Sequence, residues 1–523
     1  MTEDMRPHLH RNGEAVQLMV EGEPFLMLSG ELTNSGAACA EDMPGMFARL
    51  AGLHLNTVIA PVSWELVEPE EGAWDWALVE ALLENARRVG MRLVLLWFGA
   101  WKNGKSSYAP GWVRADPERF PRVHLAPGRN SDVLSPFAPA VTAADARAFA
   151  ALMAYLGGAD AAGTVVLVQV ENEVGILGPA RDGSPLAEAA WREAVPAALT
   201  DHLAARGAEL LPEVREPWAA CGRPVGRPWA ETFGDCAEES FMAWHLASHL
   251  EAVAAAGRAE YDLPMYANAW LVQAGQTRPG RYPSGGPVSR VMDIWQAAAP
   301  HLDLLAPDLY APEFKEVCAS YTRAGNPLFI PETYKDDNAA AAVFYACGQH
   351  AALGFAPFAI DQRSEDDVLG QSYAALAEVM PLLTAAQAQG RVRGFYQEGE
   401  EDDAQVTLGE LRVYVRCTRP RSLIPRAGGA VLIDLGGDEF LAVGYNYEFR
   451  FGTLDSTKPN LEMLYVDEGC VQGGEWRHHR RLNGDETAHG QMIPLIPHLW
   501  DASVAGIRCV KGQVNRAAGA VDF

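Results

Sequence analysis

Two segments of the sequence carry carboxylates directly after apolar runs. One reads VQVENE and supplies Glu171, Asn172 and Glu173, and the other reads FIPET and supplies Glu332. Two carboxylic side chains in one pocket suit glycosidic bond cleavage, because one protonates the departing oxygen and the other meets the positive charge that develops at the anomeric carbon. Glu173 and Glu332 lie 159 positions apart, so this chemistry requires a fold that brings the two segments together.

Both segments belong to a pattern that repeats from residue 24 to about residue 360. A short, almost wholly apolar run ends in polar residues and is followed by a segment with helical spacing, which is typical of buried parallel strands and crossover helices. The predicted strands are 24–31, 56–62, 92–98, 164–173, 264–269, 302–309, 327–332 and 354–361. The predicted helices include 41–52, 75–89, 143–156, 185–206, 235–256 and 339–353. We expect Thr142 to cap the third helix and Gly157 and Gly158 to end it.

Eight strands alternating with helices predict an α/β fold, a (β/α)8 TIM barrel over residues 1–385. A doubly wound open sheet is the alternative, but no GxGxxG follows an early strand. In a barrel, the carboxyl ends of all strands surround one mouth. Glu173 after strand four and Glu332 after strand seven would therefore face each other across a pocket.

The sequence changes character after about Gly390. Apolar and polar residues alternate in 411–417, and 431–435 and 439–445 flank a Gly-Gly-Asp turn, which predicts a hairpin. We therefore predict that residues 386–523 form a smaller, antiparallel, β-sandwich-like domain.

Polar and aromatic residues at the other strand ends are candidates for contact with a sugar. Carboxylates and amides suit sugar hydroxyls, and indole rings suit the apolar face of a pyranose. The candidates are Glu31, Trp64, Trp97, Trp101, Asn103, Asn172, Asn268, Trp270 and Tyr310. The alternatives are that the tryptophans pack in the core and that Glu31 is a salt-bridge partner. Period-two spacing places Glu171 on the side of Glu173 but deeper, so we interpret it as a buried supporting carboxylate.

Composition excludes several classes of function. The chain has 523 residues, 49% of them apolar, and a net charge of -26, so nucleic acid and anionic membranes are not expected partners. The cysteines occur singly, and the basic HHRR run at 478–481 is interpreted as a solvated strand face, so we expect no metal and no cofactor. The first residues lack a secretory pattern, which predicts a cytoplasmic protein, or a periplasmic one if the N-terminus was trimmed.

Four segments resemble the β-galactosidases of glycoside hydrolase family 35, and specifically bacterial members with a small C-terminal β domain. They are QVENEVG (169–175), FIPETY (329–334), APVSWELVEPEEGAWD (60–75) and LVLLWFGAWKNG (93–104). The resemblance covers about residues 15–385 and, more loosely, the tail. It implies a retaining mechanism with Glu173 as acid and base and Glu332 as nucleophile. It also implies that Asn172 binds the sugar 2-hydroxyl and that Tyr310 holds the nucleophile ionised.

The substrate that this resemblance implies is a small carbohydrate with a terminal, non-reducing β-D-galactosyl residue, on an oligosaccharide or a plant hemicellulose side chain. A β-glucosidase or an α-L-arabinosidase is the alternative within the same clan of barrel glycosidases. A non-catalytic carbohydrate-binding protein is a further alternative, and a homodimer is left open.

Overall fold

The computed structural model describes residues 6–126, 129–363, 368–398, 403–418, 427–496 and 506–521. Within these residues, eight parallel strands form one sheet. They are β1 (Met27–Glu31), β2 (Thr57–Ser63), β3 (Arg92–Phe98), β4 (Val165–Val170), β5 (Met265–Trp270), β6 (Leu304–Leu309), β7 (Glu332–Thr333) and β8 (Gly354–Phe355). β8 pairs with β1, and a parallel bridge joins Ile330 to Phe355, so the sheet closes on itself. The predicted TIM barrel is confirmed.

Helices surround this sheet. They are α1 (Met43–Gly52), α2 (Trp64–Val67), α3 (Ala77–Val89), α4 (Gly111–Arg114), α5 (Pro139–Ala159), α6 (Pro185–Arg192), α7 (Ala197–Arg206), α8 (Pro212–Ala220), α9 (Trp229–Phe233), α10 (Ala237–Glu260), α11 (Met292–Ala298), α12 (Phe314–Tyr321), α13 (Ala339–His350) and α14 (Val368–Ala388). None of those in the described ranges combines the length and the apolar character that a bilayer crossing needs.

Both ends of α5 and the predicted helix 185–206 differ from the expectation. Thr142 lies inside α5 rather than at its cap, because Pro139 occupies the first turn and starts the helix earlier. The helix also continues past Gly157 and Gly158 to Ala159. The predicted helix 185–206 is two helices, since Pro196 lacks an N–H and stands at the start of a new helix.

Alternation along β3 shows how the barrel is filled. Val94, Leu96 and Phe98 point into the barrel interior, whereas Leu93 and Trp97 pack in the core between sheet and helices. The lower end of the barrel is closed by an antiparallel sheet of His8–Asn12, Ala15–Val20 and Glu23–Pro24. No strand was predicted for the first two segments, and Pro24 was predicted to begin the first barrel strand. Leu18 and Val20 of this sheet belong to the interior cluster. A separate hairpin, Arg122–Ala126 with Arg129–Leu134, lies between β3 and α5.

The C-terminal strands form two antiparallel sheets. They are β9 (Val392–Tyr396), β10 (Ala404–Leu408), β11 (Leu411–Cys417), β12 (Gly429–Gly436), β13 (Glu439–Tyr445), β14 (Tyr447–Thr453), β15 (Met463–Gln472), β16 (Glu475–Leu482), β17 (Ile493–Pro494) and β18 (Arg508–Val514). Among the described strands, six form the order β9-β12-β13-β18-β15-β16 and four the order β10-β11-β14-β17. Side chains from both sheets share one core, so the domain is sandwich-like as predicted.

Strands β12 and β13 of the larger sheet are buried on both faces. Along β12, Ala430 and Leu432 face the smaller sheet, whereas Val431 and Ile433 join the core around the barrel. Helix α13, which follows the strand that carries Glu332, approaches β9 so closely that glycine is required. A Cβ atom at Gly394 would lie 2.6 Å from the carbonyl oxygen of Phe344.

We predict that Gly394→Ala lowers the free energy of unfolding by about 1–3 kcal/mol, because the added methyl group meets backbone atoms that cannot yield. Gly158→Ala in α5 is the control, since its Cβ would meet open space, and we expect it to be neutral or slightly stabilising. Urea unfolding of the two variants measures the difference, and equal stabilities would contradict this account of the interface.

Candidate active site

The segment after β4 carries two of the candidate residues in a strained backbone conformation. Glu171 has φ 64° and Glu173 has φ 46°, in the left-handed region that costs a non-glycine residue about 1–2 kcal/mol. Neighbouring groups hold this turn: the N–H of Glu173 donates to Asn268 Oδ1 at 2.9 Å, and its carbonyl oxygen accepts from the N–H of Gly104 at 3.1 Å. Strain that is maintained in this way is characteristic of functional sites.

The left-handed residues also separate Glu171 from Glu173. Period-two spacing placed both on one side, but alternation ends with β4 at Val170. The carboxyl of Glu171 accepts the N–H groups of Ala100 at 2.9 Å and Trp101 at 2.7 Å, away from the mouth. Only Glu173 lines the cavity.

Glu173 and Glu332 line the same cavity, whose volume is about 250 Å³. Its other lining residues are Asn103, Trp270, Leu271, Gln273, Asp308, Tyr310 and Ala311. Tyr310 donates its hydroxyl to Glu332 Oε1 at 2.6 Å. Glu332 Oε2 is buried and has no hydrogen-bond partner among the described residues. One oxygen of this carboxyl is thus held in place while the other remains free to react.

The environment of Glu173 favours its protonated form. Burial, and next the charge of Glu332, raise the pKa of Glu173 to about 7. The Lys102 ammonium and hydrogen bonds with Asp308 and Asn103 oppose this shift without cancelling it. The Asn103 amide donates to Glu173 Oε2 at 2.5 Å. At neutral pH, this carboxyl can therefore both give and accept a proton.

Asp308 is a cavity residue that sequence reasoning missed. It lies near the end of β6, and its Oδ2 accepts the amide of Asn268 at 2.7 Å. Burial raises its pKa well above the usual range, with further contributions from the charges of Glu332, Glu173 and Glu31. A hydrogen bond with Glu173 contributes to the same rise in the pKa of Asp308. A lone aspartate inside the apolar run LLAPDLY was the available signal.

Glu31 and Asn172 supply polar atoms without partners. Glu31 ends β1 and is 1% exposed, and neither of its carboxyl oxygens has a hydrogen-bond partner in the described chain. Burial raises its pKa well above the ordinary value, aided by Glu332 and opposed by Lys102. Both amide atoms of the buried Asn172 also lack partners within the described ranges. Buried polar groups are seldom left unsatisfied, so these atoms are candidates for ligand hydroxyls.

The structure brings one of the four candidate tryptophans to the cavity, Trp270. Trp64 and Trp97 are fully buried in the core outside the barrel, where their indole N–H groups donate to Glu68 at 2.7 Å and Asp145 at 2.9 Å. Trp101 is also buried, with its ring edge-on to His249. Side chains alternate between the two faces of β3. Because Val94 and Leu96 point into the barrel, Trp97 points outward, and the prediction for Trp97 did not take this alternation into account.

Among the residues that the structure describes, one group of side chains has a spacing that could hold a metal ion. Ligand atoms of Asp145, Glu171 and His249 lie within 4.8 Å of one another, all in buried residues. These atoms already bind other protein groups: Asp145 accepts from Trp97 and contacts His249 Nε2 at 2.9 Å, and Glu171 accepts two backbone N–H groups. The donor set therefore fits a hydrogen-bond network better than a metal site.

We predict that Lys102→Met raises the pKa of Glu173 above 7, because the ammonium group stabilises the ionised carboxylate. The pKa can be measured by infrared titration of the carboxyl, with Glu173→Gln as the reference spectrum. Lys105→Met is the matched control: Lys105 belongs to the same loop but pairs with Asp132 at 3.0 Å on the surface. An unchanged pKa in Lys102→Met, or an equal rise in the control, would refute the assigned role.

Comparison with known proteins gives one family match. Residues 369–494 match a model described as a domain of unknown function, DUF5597. The match covers α14 and the C-terminal strands as far as β17, and leaves out Glu173 and Glu332. No curated protein matches the sequence.

Several solved structures with a similar fold are glycoside hydrolases. The catalytic domain of the β-amylase from Paenibacillus polymyxa has 12% identity and a TM-score of 0.46, over 67% of this chain and 98% of that one. The β-galactosidase of Marinomonas ef1 has 12% identity and a TM-score of 0.46, over 69% and 60%. A GH42 β-galactosidase of G. stearothermophilus has 15% identity and a TM-score of 0.46, over 69% and 57%. The chain thus spans less than two thirds of these β-galactosidases, and such distant likenesses carry no information on its activity.

Proposed function

We propose that the protein is a retaining glycosidase that removes terminal, non-reducing β-D-galactosyl residues. The observation that carries the proposal is the contrast between two carboxyls in one cavity. Burial and the charge of Glu332 raise the pKa of Glu173 to about 7, as a general acid requires. Glu332 accepts the Tyr310 hydroxyl and keeps a second oxygen unpaired within the described structure, as a nucleophile requires.

The first step of the proposed reaction breaks the glycosidic bond. Glu332 Oε2 attacks the anomeric carbon while the protonated Glu173 gives its proton to the departing oxygen. Burial and the charge of Glu332 raise the pKa of the Tyr310 hydroxyl, so Tyr310 keeps its proton and continues to donate to Oε1. This bond keeps the carboxylate oriented while the other oxygen forms the covalent bond.

The second step releases the sugar. Glu173, now ionised, takes a proton from water, and the resulting hydroxide displaces Glu332 from the anomeric carbon with net retention. The retaining route needs the two carboxyls about 5–5.5 Å apart. The charge of Glu332 raises the pKa of Glu173, so the two carboxyls lie near enough to interact, and the retaining route is proposed on the resemblance of the motifs.

The choice of galactose depends on the motifs rather than on geometry. QVENEVG, FIPETY and LVLLWFGAWKNG resemble family 35 β-galactosidases, and the unpaired oxygens of Glu31 and amide atoms of Asn172 provide acceptors and donors for sugar hydroxyls. By the same resemblance, Asn172 would bind the 2-hydroxyl. A cavity of about 250 Å³ accommodates one terminal sugar rather than a chain, which favours exo action.

We predict that Glu332→Gly abolishes hydrolysis of aryl β-galactosides, because the nucleophile is lost. Azide should restore turnover in this variant and yield the glycosyl azide of α configuration, which nuclear magnetic resonance identifies. Wild-type enzyme with azide is the control. Full activity of Glu332→Gly without azide would exclude the proposed role.

A panel of aryl glycosides tests the sugar specificity. We expect the highest kcat/KM for β-D-galactose, ahead of β-D-glucose and α-L-arabinose, because the Glu31 and Asn172 groups are fixed by burial and should favour one arrangement of hydroxyls. Preference for another sugar would replace galactose but retain the mechanism. Glycan binding with no turnover of any member would instead indicate a carbohydrate-binding protein.

A further inference from the structure

Three buried, titratable residues lie behind the cavity and take no part in the proposed reaction. Asp145 belongs to α5, Glu171 follows β4, and His249 belongs to α10. His249 Nε2 lies 2.9 Å from Asp145 Oδ2, and His249 Nδ1 lies 2.8 Å from Thr142 Oγ1. We name Asp145, Glu171 and His249 the buried network.

The buried network contacts one loop, residues 99–103. Both oxygens of Glu171 accept backbone N–H groups of this loop, from Ala100 and Trp101. The loop passes so close that a Cβ atom at Gly99 would lie 2.4 Å from Glu171 Oε1 and 2.7 Å from Asp145 Oδ1. The ring of Trp101 meets His249 edge-on, with centroids 4.7 Å apart. The backbone of the loop is thus fixed from one side by the network.

The other end of the same loop reaches Glu173. The carbonyl oxygen of Trp101 accepts the N–H of Asn172 at 3.3 Å, and the Asn103 amide donates to Glu173 Oε2 at 2.5 Å. Lys102, between them, lowers the pKa of Glu173 through its charge. The loop therefore connects the network to the groups that orient and tune this carboxyl.

We propose that Asp145, Glu171 and His249 are positioning residues for Glu173, acting through loop 99–103, which they hold in the one arrangement that presents Asn103 and Lys102 to its carboxyl. The proposal rests on the proposed function in that it treats Glu173 as the acid and base. It adds three residues that never touch the substrate.

The protonation of the network is consistent with a positioning role. Burial, and then the charge of Asp145 and a hydrogen bond with it, raise the pKa of Glu171 well above its usual value. Burial would also raise the pKa of Asp145, but His249, Glu171 and Trp97 together hold it below its ordinary value. These opposite shifts are the directions expected of two neighbouring buried carboxyls, for which carrying two negative charges side by side is unfavourable.

The first test is the pKa of Glu173, measured by infrared titration in Asp145→Asn. We expect it to rise above 7, because loosening the loop withdraws the contacts of Asn103 and Lys102 that favour the ionised form. The other ionisable groups that act on Glu173 are Glu332 and Asp308, together with Glu31, and all remain in the variant. This readout needs no turnover, so it tests the positioning role even if the proposed glycosidase activity proves wrong.

The second test is the dependence of kcat on the leaving group. In Asp145→Asn, hydrolysis of alkyl β-galactosides, which need an acid, should fall about 10- to 100-fold with little change in KM. Hydrolysis of a dinitrophenyl β-galactoside, whose leaving group departs without a proton, should change far less in the glycosylation step. Glu173→Ala lacks the acid altogether, so it shows the largest difference between the two kinds of leaving group that loss of the acid can cause.

Asp160→Asn is the control for loss of a buried aspartate. Asp160 lies at the opposite end of β4, where it accepts the N–H groups of Thr164 and Val165 and pairs with Arg87. We expect this variant to lose stability but to show neither the pKa rise nor the leaving-group dependence. If the control shows both, the effects in Asp145→Asn are structural and the proposal is overturned.

If Asp145→Asn does not fold, the pKa of Glu173 is measured in Thr142→Val instead. This substitution removes the partner of His249 Nδ1 without changing any charge, and we expect a smaller pKa rise in the same direction. An unchanged pKa of Glu173 in a folded variant would overturn the proposal. One equivalent of a metal ion that the wild type retains and Asp145→Asn loses would also overturn it, because the cluster would then be a metal site.

Discussion

Repulsion among carboxyl groups governs the mouth of this barrel. Glu31, Glu173, Asp308 and Glu332 come from four different strand ends, and each ionised member makes it harder to ionise the next where water is largely excluded. The pKa values of Glu31, Glu173 and Asp308 are all raised, first by burial and then by their neighbours. Lys102 offsets part of this repulsion. The four carboxyls therefore differ in role, because burial and repulsion favour the protonated forms of Glu31, Glu173 and Asp308, while Glu332 accepts the Tyr310 hydroxyl.

Such a cluster persists only on a backbone that cannot relax. The barrel closes through β8 and β1, and its lower end is filled by Leu18 and Val20. On the outside, α13 follows the strand that carries Glu332, and it lies directly against β9 of the C-terminal domain. This domain thus braces the barrel wall that holds Glu332. Strands β12 and β13 are buried on both faces, so the core around the barrel continues into the C-terminal domain.

The sequence was sufficient for the barrel, because buried parallel strands appear as continuous apolar runs. The same runs conceal which way each residue points, so Trp97 was assigned to a sugar wall although it packs outside the barrel. Lys102 and Asp308 were missed for another reason: their importance comes from residues distant in sequence. Only the closed sheet brings Asp308 to Glu173 and Lys102 to Glu31.

Glu171 and Glu173 show why residue type alone does not identify a catalytic carboxyl. They are two positions apart and chemically identical, yet the left-handed φ at each turns their side chains to opposite sides of the barrel wall. Glu171 accepts hydrogen bonds from the N–H groups of Ala100 and Trp101 and lies beside Asp145. Both of its oxygens are therefore already engaged by the protein. Glu173 lines the cavity, accepts a hydrogen bond from the Asn103 amide and is influenced by the charge of Glu332, so its proton remains exchangeable. Strain at a single turn therefore separates a structural acid from a reactive one.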